Sequence, residues 1–444
     1  LVKIVSSISA LRTVSHLVNT AVLVEGYYAT ADGGGGAYFY DSTDVVSADN
    51  GGTIIVASDG ARWKLQHNDA VSVKQFGAKG NSVADDTTAI QAAINAFPTG
   101  TIWFPEGTYI LSNVLSITTS TELVGSGRSN SILMQSNTAA GILSYTGVRG
   151  GFRHLQLDYS TTPTGSTVPA VYSVAPTFKA EKFQIVKSHV GIEVAGGFTM
   201  TFDDFQNDSA DQIGIYLHNT SDIHINDFSM TAYGTNNFAL GALRLGEFCE
   251  ANIITNGEVV LGLYSMTTFA TVNSPGARPA YCRFNNVFFD SSNNGTILNN
   301  CALFEFNGCW FSAGRIPASP QPGCTLQTTY DVTFVNTEFF NCGLHGLSAS
   351  ATSDGTTLVA CLAESNSQST TGGNGFDFNA SQNFTMMGCR ARNGTFPGGQ
   401  QFNGIHVAGA ANGYILQGNI TQGNLSTGLN DAGTGGIKSV TGNL

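Results

Sequence analysis

Glu338 and Glu364 lie 26 residues apart, and that spacing turns out to be one structural repeat of this 444-residue chain. If the repeat is a strand-bearing coil, the two carboxyl groups face outward one rung and two residues apart, about 8 Å between their Cβ atoms. Hydrolysis of a glycosidic bond needs such a pair. One carboxylic acid protonates the leaving oxygen and one carboxylate activates water, at a separation of ~6.5 to 9.5 Å when the configuration is inverted. Trp310 falls one rung before Glu338, where an indole can stack on a sugar face, and Arg390 and Arg392 fall one rung after Glu364, where they can hold an acidic sugar. Glu338 has the more apolar expected neighbours, Trp310 and Leu362, which favours its protonated form and assigns it the acid, with Glu364 beside Arg392 as the base. The competing structural reading makes these residues a solvated strand face, with the aromatic side chains buried between subunits.

A second pair, Asp377 and His406, is also one rung apart and faces across a variable loop from the glutamates; its structural alternative is a simple salt bridge. His406 with Arg390 would suit a lyase, which needs a base beside a uronic acid and a charge to stabilise the carbanion. Glu193, Tyr216 and Arg244 form a further outward row, and Ser348 precedes Asp377 and His406 in theirs. Asp204 and Asp227 also stack, but at a position where a tight turn asks for their backbone rather than their carboxylates. No Ser-His-Asp order, phosphate-binding loop or dinucleotide fingerprint occurs at a usable place.

The element that must position these residues is an internal repeat. An apolar residue followed by two turn residues recurs at Phe152, Ala180, Phe202, Ile225, Ile254, Phe284, Phe306, Phe334, Leu358, Met386 and Leu416, at intervals averaging about 26 residues. The second turn residue runs His154, Lys182, Asp204, Asp227, Asn256, Asn286, Gly308, Asn336, Ala360, Gly388 and Gly418. Most are Asn, Asp or Gly, which tolerate the left-handed conformation, so one tight bend is expected in every repeat. A strand opened by glycine also recurs, as in Gly191-Ile192-Glu193-Val194 and Gly404-Ile405-His406-Val407. Three short strands per repeat without a crossover helix predict a parallel β-helix of about eleven coils. The residue three places after each repeat start becomes an interior ladder, and Cys309, Cys361 and Cys389 sit in it.

Residues 1–70 are Gly-rich, with Gly33 to Gly36 unbroken, and read as a small N-terminal β leader. The helical pattern from Ala89 to Ile94 follows Asp85-Asp86-Thr87, which is expected to cap it. The expected division is a leader at 1–70, a first coil with its capping helix at 71–125, the parallel β-helix at 126–430, and a tail at 431–444. Composition agrees with short strands: 53 glycines, only 11 prolines and 11% charged residues. A net charge of −12 argues against nucleic acid as a partner, because phosphate binding draws on clustered Lys and Arg. No apolar run spans a bilayer and the start lacks a signal-peptide pattern, so neither membrane nor secretion is expected. Eight cysteines without C-x-x-C spacing or a histidine partner suggest buried reduced thiols, neither a metal site nor another cofactor, and synthesis in a reducing cytoplasm.

The stretch Val73-Lys74-Gln75-Phe76-Gly77-Ala78-Lys79-Gly80-Asn81, then Asp85-Asp86-Thr87, the helical pattern, and Trp103-Phe104-Pro105-Glu106-Gly107-Thr108-Tyr109 resembles the opening motif of the pectate-lyase-like right-handed β-helix superfamily. With the leader segment Tyr27-Tyr28-Ala29-Thr30-Ala31-Asp32-Gly33-Gly34-Gly35-Gly36, the version most resembles bacteriophage tailspike proteins. The resemblance implies an all-β, right-handed parallel β-helix, assembled as a homotrimer on the virion tail or baseplate. It also implies that the spike binds and usually cleaves a bacterial surface polysaccharide, capsule or O-antigen. The superfamily holds hydrolases, lyases and non-enzymatic coils, so the fold alone does not choose among endo-hydrolase, β-eliminating lyase and non-cleaving adhesin.

Overall fold

A computed structural model of the chain describes residues 2–163, 167–232, 237–270, 276–314, 319–369, 372–394 and 400–444. The chain divides into two compact units, one ending at Lys187 and one running from Ser188 to Leu444.

The first unit opens with a five-stranded sheet, ordered Lys3–Val5, Ala21–Val24, Gly36–Tyr40, Arg62–Leu65, Ile54–Val56. Alternation puts Val22, Val24, Tyr38, Ile55, Trp63 and Leu65 in its core. The glycine run is required by close approach: a Cβ at Gly34 would lie 2.3 Å from the Lys74 carbonyl oxygen, and one at Gly35 2.4 Å from that of Val24. Asp32 closes this loop by accepting hydrogen bonds from the backbone N–H groups of Tyr27, Tyr28, Ala29 and Gly34.

The expected helix forms at Thr87–Ala96 and buries Ile90, Ala93 and Ile94. Its two aspartates do not both cap it. Asp85 accepts from the N–H and hydroxyl of Thr87, but Asp86, at the N-cap position, turns away from the helix. The buried Asp86 carboxylate instead accepts from the N–H groups of Lys79 (2.6 Å) and Gly80 (2.8 Å), pinning the loop of the opening motif. Coiling begins well before residue 126: Ala70–Ser72 pairs with Thr101–Phe104, which pairs with Glu122–Gly125. The helix covers the first coil, so strands on both sides of it already belong to the ladder.

The second unit is a right-handed parallel β-helix. Its glycine-led strands stack from Val190–Val194 through Ile213–Leu217 and Gly241–Leu245 to Phe376–Phe378, Ile405–Val407 and Leu429–Asp431. On the other side of each coil the repeat-start residues stack in register. Phe284, Phe306 and Phe334 lie face to face at 4.6 and 5.0 Å between centroids, and Phe289, Phe311 and Phe339 repeat this at 4.9 and 5.2 Å. The turn ladder is left-handed throughout: Asp204, Asp227, Asn256, Asn286, Gly308, Asn336, Ala360, Gly388 and Gly418 have φ between 47° and 63°, and His154 and Lys182 of the first unit do likewise. This is the backbone role expected for Asp204 and Asp227. Where the bend leaves strand pairing intact, the last two strands of a coil merge, as in Gly197–Asp208 and Thr220–Thr231.

All eight cysteines are buried and free, Cys309, Cys361 and Cys389 among the interior residues. The segment expected as a tail from 431 instead extends the ladder, with Lys438–Thr441 pairing parallel to Tyr414–Gln417. Val440 pairs with the repeat-start residue Leu416 but is 37% exposed, so the backbone ladder continues there without a buried interior. Among the described residues no helix is long and apolar enough to cross a membrane.

Candidate functional site

Register places the glutamates as their spacing requires. Trp310 pairs with Glu338, Glu338 with Leu362, Phe340 with Glu364, Leu362 with Arg390, and Glu364 with Arg392. Each residue comes from the last strand of its coil: Trp310–Ala313, Glu338–Phe340, Leu362–Glu364 and Arg390–Arg392. Phe311, Phe339, Ala363 and Ala391 alternate into the core, which turns Trp310, Glu338, Glu364, Arg390 and Arg392 to one outward face.

Their environments differ from the expectation. Glu338 is exposed, not enclosed by apolar neighbours, because Trp310 leans into an aromatic row, edge-on to Phe288 and to Phe340 at 5.7 Å each. Glu364 is the enclosed carboxyl, its side chain only 12% exposed. Its Oε2 accepts from Arg392 Nε at 3.0 Å and Nη2 at 2.9 Å, while Oε1 fills the space a Cβ on Gly394 would occupy. Arg390 is exposed and makes no ion pair among the described residues. The Trp310 indole N–H is buried without a hydrogen-bond partner.

The second pair is closer-knit. His406 Nδ1 donates to Asp377 Oδ1 at 2.7 Å across adjacent rungs, and His345, which the sequence did not single out, brings Nε2 to 3.9 Å from Asp377 Oδ2. The Asn374 side chain donates to Asp377 Oδ1 at 2.8 Å, and the Asn374 N–H donates to His345 Nδ1 at 2.9 Å, which puts the ring proton of neutral His345 on Nε2. The hydrogen bond to Asp377 raises the pKa of His406, whereas burial lowers that of His345. Burial alone would raise the Asp377 pKa, but the His406 hydrogen bond, the charge of His345 and the Asn374 hydrogen bond outweigh it and hold the carboxyl below its ordinary range. His345 lies in a loop just before its rung strand, outside the repeat positions, so no periodic signal marks it.

Three family models match the chain in succession: a phage tail protein small four-stranded β-sheet domain at 4–68, a rhamnogalacturonase A/epimerase, pectate lyase-like model at 70–287, and a right-handed β-helix region at 270–421. The chain thus carries, in order, a phage-tail β-sheet domain, a pectate-lyase-like segment and a right-handed β-helix region. Its curated relatives include the Mu-like prophage FluMu defective tail fiber protein of Haemophilus influenzae, 35% identical over 115 residues, which are 25% of this chain and 18% of that one. The pre-neck appendage protein of Bacillus phage phi29 is 39% identical over 64 residues, 14% of this chain and 7% of the relative. Among solved structures, tailspike protein 3 of bacteriophage CBA120 superimposes with a TM-score of 0.64 at 15% identity, covering 91% of this chain and 65% of its own. The gp49 tailspike of Acinetobacter baumannii bacteriophage Fri1, described as a capsular polysaccharide depolymerase, gives 0.53 at 13% identity over 100% and 76%. The fold is therefore tailspike-like, and the chain spans only a small part of the curated relatives it matches.

Proposed function

We propose that this chain is the receptor-binding part of a phage tailspike that cleaves a bacterial surface polysaccharide, capsule or O-antigen, by endo-glycosidic hydrolysis. The observation that carries the reading is the outward row Trp310, Glu338, Glu364 and Arg392, with two carboxyls one rung and two residues apart. Glu364 accepts two N–H bonds on one oxygen and so acts as the acceptor that takes a proton from water. Glu338, exposed and without a partner among the described residues, is the proton donor to the leaving oxygen. Trp310 and Arg390 hold flanking sugars. The likeness to the Fri1 tailspike supports this activity through the fold alone.

The tight contact of Asp377 with His406 favours one second reading, in which Asp377 orients His406 as the base and His345 completes the site. No cofactor is proposed for either. The spike is a homotrimer attached to the virion tail, made in the host cytoplasm and acting at the bacterial surface, with no part for nucleic acid or membrane. Digestion of purified capsular and O-antigen polysaccharides by the wild-type chain, by Glu338→Gln and Glu364→Gln, and by Asp377→Asn assigns the site. Loss of turnover confined to the glutamate variants supports the first reading, and loss confined to Asp377→Asn supports the second.

A further inference from the structure

Arg244 stands in the outward row Glu193, Tyr216, Arg244, paired in register through Ile213–Leu217 and Gly241–Leu245. Its guanidinium carbon lies 4.8 Å from the centroid of the Phe269 ring and 5.6 Å from that of Tyr216, so aromatic faces flank the cation. Tyr216 is itself held in place. It stacks on His218 at 4.5 Å, and a Cβ on Gly246 would come within 3.0 Å of its ring.

The nearby carboxylates do not neutralise this arginine. Glu193 Oε1 is bonded by His218 Nε2 at 3.0 Å, and Asn219 donates to His218 Nδ1 at 3.1 Å. Glu193 and Glu247 act electrostatically on Tyr216, whereas Arg244 interacts with Tyr216 and, weakly at 3.5 Å, with the Leu240 carbonyl. Among the described residues Arg244 thus has no carboxylate partner, although it is half-buried in a chain of net charge −12. A planar guanidinium beside two aromatic rings, with no carboxylate on its donors among the described residues, matches a carboxylate, which takes two parallel N–H bonds. Phe269, 39% exposed, offers an apolar face beside it for a sugar ring.

From this geometry we infer that Arg244, Tyr216 and Phe269 form a subsite for a carboxylate-bearing sugar of uronic-acid type, separate from the row that includes Glu338. This deepens the polysaccharide reading above and rests on it. Phosphate and sulfate share the anionic chemistry, but a single planar fork matches the two coplanar oxygens of a carboxylate better than a tetrahedral oxyanion.

Ligand-observed saturation-transfer NMR on the full chain tests the subsite, with sodium glucuronate, the neutral glucuronamide and inorganic sulfate as probes. Glucuronate is expected to bind at least about tenfold more tightly than glucuronamide and sulfate, with Arg244→Gln abolishing the difference and Arg244→Lys restoring part of it. Phe269→Ala, an exposed change that spares folding, should weaken glucuronate as well. Equal binding of glucuronate and glucuronamide by the wild type overturns the inference even if Arg244→Gln fails to fold, and so does sulfate binding as tightly as glucuronate. Polysaccharide digestion with no such preference defeats the subsite and leaves the depolymerase reading standing. A glucuronate preference without any digestion supports the subsite on a protein that binds glycan without cutting it.

Discussion

Glu364 and Arg392, one rung apart, are joined by two hydrogen bonds that converge on a single carboxylate oxygen. The fork fixes the carboxylate and leaves its other oxygen beside Gly394. Replacing Glu364 or Glu338 by Gln keeps size and polarity while removing the titratable carboxyl, so under the proposed hydrolysis turnover should fall at least ~100-fold in each variant. Polysaccharide binding, measured on the same variants by surface plasmon resonance, should persist. Arg392→Lys keeps the charge but loses the fork, and is expected to lower turnover by less than either Gln change. Full activity in both Gln variants would move the chemistry to Asp377 and His406.

The Asp377–His406 contact makes a titration prediction with a definite sign. His406 should titrate above ~6.5 and His345 below it, because Asp377 favours the His406 cation while burial disfavours that of His345. Histidine ring carbon shifts followed by NMR against pH check both, and Asp377→Asn should lower both values. For stability, the His406 contribution is full below ~6.5 and is lost as pH rises through its folded value. The Asp377 contribution is present above ~3.9 and is lost as pH falls through its folded value. His345 acts the other way from His406, favouring unfolding as pH falls below ~6.5. Identical titrations for the two rings would contradict the arrangement.

Phe306 is fully buried between Phe284 and Phe334. Phe306→Ala should destabilise the helix by about 3–5 kcal/mol, read as a lower denaturant midpoint with the circular dichroism of the folded state still β-rich. A change under about 1 kcal/mol would mean that the stack is not the structural spine described above.

Apolar side chains remain exposed along the coil, Phe288, Met387, Ile415 and Ile420 among them. Such residues are costly to leave in water, and three parallel chains would cover them. Light scattering should therefore give about three times the 46.5 kDa chain mass. A single-chain mass would contradict the trimer.

The coil was legible in the sequence because a parallel stack imposes one periodic constraint on every rung. The left-handed bend at Asn256, Asn286 and Asn336, and the Phe284, Phe306 and Phe334 ladder, follow from residue type and interval alone. Register then carried Glu338 and Glu364 to their places, but not their surroundings. Leu362 lies beside Glu338 in the register, yet the aromatic row draws Trp310 sideways, and the backbone at Gly394 closes over Glu364 instead. His345 escaped because loops set its position, and Asp86 escaped because its carboxylate serves a loop seven residues upstream and not the helix it precedes.

Hydrolysis of a surface polysaccharide is read from its products. Purified capsular and O-antigen polysaccharides from candidate hosts are incubated with the full chain, with reducing ends and ultraviolet absorbance followed together. Hydrolysis predicts shorter oligosaccharides with new reducing ends and no absorbance in the enoate band. Enoate absorbance would show β-elimination instead, and tight binding with no shortened product would make the protein an adhesin.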